Sequence, residues 1–102
     1  MSAPESNNAL SSSSTSGTVY FKEFHTSLGI SNDGASAVTV RVYQEYETPA
    51  TITTTTAGAV KIPAGRTVVW NFNHRSENGH GYGGFSHICA ATETSTLRWK
   101  AK

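Results

Sequence analysis

From Ala37 to Tyr46 the chain alternates, with Val38, Val40 and Val42 falling on one side and Thr39, Arg41 and Tyr43 on the other. A period of two sends successive side chains to opposite faces, so this stretch predicts a strand with one buried and one wet face. The same period returns where Val68, Trp70 and Phe72 alternate with Thr67, Val69 and Asn71, and where Leu97 and Trp99 alternate with Arg98 and Lys100. Shorter apolar runs read as further strands: Val19 to Phe24 and Leu28 to Ile30, which are two strands or one broken near His25, then Val60 with Ile62, and Phe85 to Ala91. Turn chemistry separates them. Asn32, Asp33 and Gly34 accept the local hydrogen bonds of a tight reversal, and Pro63, Ala64 and Gly65 form a corner. Pro49 marks an edge or an entry, and the threonines from 53 to 56 suit an exposed strand or loop. The last two strands are expected as a pair joined by Thr92, Glu93, Thr94 and Ser95. No heptad, repeat or amphipathic helix competes. The expected fold is all-β, a small antiparallel β-sandwich or barrel of seven to eight strands with an extended N-terminal arm.

The arm is a compositional unit. Residues 1–18 hold only Met1 and Leu10 as sizeable apolar side chains, beside the run Ser11, Ser12, Ser13 and Ser14. Such a segment buries too little surface to offset its ordering entropy, so it is expected to be flexible or to be ordered by a partner. Extended at roughly 3.3 Å per residue it reaches about 55 Å, enough to touch a neighbouring subunit. Leu10 and Ser11 to Ser14 are therefore candidate partner-binding residues, and residues 19–102 are read as the sandwich domain.

Composition narrows the function classes. With 102 residues there is room for one domain. Serine and threonine together make up 27 residues, charged residues only 15%, and the formal net charge is +1. That balance lacks the basic footprint of a nucleic-acid binder. No apolar run is long enough for a membrane helix, and the N-terminus lacks the basic start and apolar centre of a secretory leader. Neither nucleic acid nor membrane is an expected partner. The single Cys89 lies in the apolar run Ile88 to Ala91, where a thiol behaves as a small buried hydrophobe.

The residues that could carry chemistry are few. His74, His80 and His87 are six and seven residues apart, which matches no compact zinc motif, so no metal and no cofactor are expected. The loop Asn73 to Gly84 carries four of the nine glycines. Its glycines suggest a phosphate cradle only superficially, because a strand and not a helix follows. Glycine lets a backbone approach a partner, and Arg75, His80 and Tyr82 add charge and a ring, so these three are candidate partner-binding residues. Ser86 and His87 are adjacent on a strand and point to opposite faces, so they cannot pair as nucleophile and base. Glu45 and Glu47 read as solvated rim charges. Tyr20, Tyr43, Tyr46 and Tyr82, if exposed, suit sugar or protein contacts. No enzyme is expected.

Three stretches carry a resemblance: Gly29 through Tyr43, Ile62 through Trp70, and Phe85-Ser86-His87-Ile88 ahead of Leu97-Arg98-Trp99. Their order resembles small β-sandwich virion accessory proteins of tailed bacteriophages, of the head-decoration or tail-accessory type, over residues 28–99. The resemblance implies a structural role in the virion without cofactor, with a major capsid or tail protein as partner and a homo-oligomer within the particle. It implies first a capsid decoration, or cement, protein binding repeated sites on a phage head, assembled in the host cytoplasm. A tail or head-to-tail connector component is the alternative, and a carbohydrate- or receptor-binding module is the alternative from another class. The serine-rich arm and the glycine loop lie outside the shared pattern.

Overall fold

The computed structural model describes residues 2–3, 9–10, 15–73, 80–90, 93 and 95–101. Seven strands form the body: β3 (Ser16–His25), β4 (Ser27–Asn32), β5 (Val38–Gln44), β6 (Val60–Ile62), β7 (Thr67–Asn71), β8 (Tyr82–Ile88) and β9 (Leu97–Ala101). Two further strands of two residues each, β1 (Ser2–Ala3) and β2 (Ala9–Leu10), come from the arm. They lie in two sheets, β1-β3-β8-β5-β6 and β2-β9-β4-β7. Every pairing is antiparallel except β1 with β3. The all-β sandwich expected from the alternating pattern is the fold found. The described pieces of the arm add a strand to each sheet of their own domain, with Leu10 opposite Arg98.

Alternation explains the core. Leu28 and Ile30 of β4 and Leu97 and Trp99 of β9 point inward and are at most 3% exposed. From the other sheet Val38, Val40 and Phe85 meet them, each fully buried. Phe85 sits edge-on to Trp99 with ring centroids 5.3 Å apart, a geometry that adds quadrupole attraction to the area buried.

Two expectations are corrected, and one open reading is resolved. The outer face of β5 was expected to be wet, yet Thr39 and Tyr43 on that face are 5% and 2% exposed. The cause is the chain from Glu45 to Ala59, which straps back across the five-stranded sheet. Tyr43 Oη and Ser86 Oγ both donate to the carbonyl of Ala50, at 3.0 and 2.6 Å, and Tyr20 Oη reaches that of Pro49 at 3.4 Å. Ile52 is pinned beneath, 4% exposed. Secondly, β8 and β9 do not pair with each other; β8 lies between β3 and β5, and β9 between β2 and β4. Their link crosses between layers, because both strands present apolar side chains to one shared core. Of the two readings of residues 19–30, two strands is the one found: β3 and β4 lie in different sheets, with the chain crossing at Thr26.

Asn32 ties the layers together at one end. Its amide nitrogen donates to the carbonyls of Ser36 and Ile62 at 2.8 and 2.9 Å, and its Oδ1 accepts the Gly34 N–H at 3.0 Å. The last of these is the Asx turn anticipated from Asn32-Asp33-Gly34.

Candidate functional site

The strap leaves one corner of the five-stranded sheet open, and irregularities in two strands create it. Pairing of β3 with β8 shifts between Tyr20 and His25, and pairing of β5 with β8 shifts between Tyr43 and Gln44. Both shifts fall at Gly83, between Tyr82 and Gly84 of β8. A side chain at Gly84 would run into the carbonyl of Val19, and one at Gly81, where φ is +153°, into the backbone of His25. These glycines therefore serve close passage of strands, the recognised role of glycine at a bulge. Strand β8 begins already at Tyr82, so Gly83 and Gly84 lie within it and not in the loop expected from the sequence.

At the bulge the side chains are redirected. Glu23 and Phe24 are both exposed, breaking the alternation that buries Phe21 and His25. The Phe24 ring rests over Gly83, where a Cβ would come within 3.2 Å of it, and 51% of the residue faces solvent. Beside it the Glu45 N–H donates to the carbonyl of Gly81 at 3.0 Å, and the Glu45 carboxylate lies 3.0 Å from Nδ1 of His80. Tyr46 follows at 63% exposure, and Tyr20 lies farther down the sheet at 42%. The result is an exposed ring on a flat glycine floor, rimmed by a carboxylate–imidazole pair. A contact this open to water adds little stability.

The residues singled out in the sequence are thus partly sorted. His80 is at the corner, its side chain 84% exposed. Tyr82 is not available: it is 5% exposed and packs edge-on against Phe72 with centroids 5.5 Å apart. Tyr43 is likewise lost to the strap, with the Arg41 guanidinium 4.6 Å above its ring. Burial lowers the pKa of Arg41, but Tyr43 and Glu47 outweigh it and raise it. Glu47 is not a simple rim charge, since it binds Arg41 at 2.8 Å and accepts the Gln44 N–H at 3.0 Å. Arg75, His74 and Ser11 to Ser14 lie outside the described residues. Phe24 and Glu45 were missed as a pair, because only the register shift brings β3 and the end of β5 together over Gly83.

The groups capable of chemistry point elsewhere. His87 is 3% exposed, its Nδ1 lies 3.0 Å from Ser95 Oγ, and its ring packs over Gly17, where a Cβ would come within 2.6 Å. A serine–imidazole pair does exist, then, with Ser95 in place of the Ser86 considered from sequence, and Ser95 is fully buried. Burial lowers the His87 pKa. Ser86 Oγ is fully buried and bound to the strap. Burial, and then the charge of Glu93, push the Cys89 thiol up, which weakens it as a nucleophile. His80 and His87 face different surroundings and share no site, and among the described residues no three metal-ligating side chains converge. No family model, curated protein or solved structure matches this chain.

Proposed function

We propose that this chain is a structural virion protein, a decoration subunit that docks on repeated sites of a tailed-phage head and stabilises the lattice there. Its work is contact, with no chemistry of its own. Supporting this reading are the strand order noted in the sequence and, above all, the corner where Phe24 and Tyr46 stay exposed beside the Glu45–His80 pair. Aromatic side chains on a rigid, glycine-floored platform are the groups that anchor protein interfaces, because they bury much area for little lost rotamer freedom. Modest affinity per site suffices when many copies bind one lattice.

The test is reconstitution. Heads lacking the protein are expected to release their contents at lower temperature, and added wild-type protein to restore them. Phe24→Ala should bind about tenfold more weakly, the usual loss on truncating an aromatic anchor. Full rescue by Phe24→Ala would remove the corner from the interface, and heads equally heat-resistant with and without the protein would refute decoration. A second reading has one observation in its favour: an exposed ring beside a carboxylate and an imidazole also suits a sugar, whose C–H face stacks while its hydroxyls bond. Saturable glycan binding that vanishes in Phe24→Ala is the result expected of that reading.

A further inference from the structure

The two sheets end in very different edges. In the five-stranded sheet, the edge strand β6 has three residues, one of them Lys61, and runs into Pro63. Short length, lysine and proline are the devices that keep an edge from pairing. In the four-stranded sheet, β7 runs five residues, Thr-Val-Val-Trp-Asn, without charge, proline or bulge, and pairs only with β4 among the described residues. Backbone bonds at both ends of that ladder, Phe72 N–H to Thr26 and Asn32 N–H to Arg66, put the even-numbered residues of β7 in bonding contact with β4. The N–H and C=O groups of Thr67, Val69 and Asn71 therefore point away from the sheet, toward the open side.

We propose that β7 pairs with β7 of a second copy of this chain, antiparallel and centred on Val69, joining two four-stranded sheets into one. The strand is complementary to itself in that register. Val69 stands opposite Val69 of the other copy, and Thr67 opposite Asn71, so all three outward-facing residues form bonded pairs. On the inner face Val68 comes opposite Trp70, and both are now only half-buried at the rim of the core. Each would cover the other's open side. On the outer face the 58%-exposed side chain of Val69 gains an apolar neighbour. No like charges meet, because Arg66 falls opposite Phe72. The surface added is small, so the pairing is weak in free solution and grows where copies are concentrated.

This inference stands apart from the decoration proposal and can fail without it. Sedimentation of the full chain from roughly 10 μM to 1 mM, the range suited to a small interface, should show the mass rising from 10.9 kDa toward twice that value. Amide exchange at Thr67, Val69 and Asn71 should slow over the same range. Val69→Lys sets like charges face to face and should weaken pairing at least about tenfold. Val69→Pro removes only an N–H that faces away from β4, and should also leave a folded monomer. Val60→Lys, on the protected edge, should associate as wild type does. A wild-type mass of 10.9 kDa throughout, or association that survives both Val69 substitutions, would overturn the proposal.

Discussion

Asn32 shows how one polar side chain can hold a two-layer fold closed. Fully buried, it satisfies two carbonyls and one N–H belonging to two segments, the turn that follows β4 and the end of β6. Asn32→Ala strands the Ser36 and Ile62 carbonyls in the interior, and at about 1 kcal/mol per bond the loss should be about 3 kcal/mol in urea denaturation. Its turn role was legible, since Asn-Asp-Gly is a local signal. Its inter-layer role was not, because Ile62 is distant in sequence. His87 gives a second test at this scale. Burial depresses its folded-state pKa, while the unfolded chain titrates near 6.5. Below that pH the unfolded chain therefore binds the extra proton. Stability should fall as pH drops below about 6.5 and level off once the buried imidazole itself protonates. His87→Gln should flatten that segment of the curve, measured as unfolding free energy against pH; an unchanged slope would contradict the burial argument.

At the scale of elements, period-two alternation found the strands because it is local, and it failed wherever a distant segment changed what a face meets. The face of β5 bearing Thr39, Arg41 and Tyr43 looked wet because nothing near them announces the strap. The three tethers on Pro49 and Ala50 come from Tyr20, Tyr43 and Ser86, on three different strands. The glycines near residue 80 were legible as unusual but not as packing. Their cause is the backbone of β3 crossing β8. Gly84→Ala tests this: its methyl group meets the Val19 carbonyl, which cannot move without breaking the β3–β8 ladder. Overpacking of this kind costs about 1–3 kcal/mol. Thermal unfolding should show the loss, whereas Gly65→Ala, with nothing near its Cβ, bears only the cost of its positive φ. The same crossing redirects Phe24, so a weakened ladder should also weaken whatever the corner binds.

For the whole molecule, two sheets, a strap and an unprotected edge leave three kinds of surface. One sheet face is closed by the chain's own loop. The corner around Phe24 is exposed and aromatic. The β7 edge is uncharged and, among the described residues, pairs with β4 alone. On the proposed reading, a near-neutral protein with such a corner works by contact at many equivalent places, and pairing along the β7 edge, if it occurs as inferred, would add to that docking. That is the central claim of the decoration proposal; few charges and many hydroxyls are compatible with it, and composition alone names no contact surface. Counting the copies of the protein in purified virions, by stained-gel densitometry against the major head protein, tests it most directly. A fixed ratio on the scale of the head lattice is the expected result. A few copies per particle would place the protein at a single vertex or in the tail, and its absence from washed virions would contradict the claim outright.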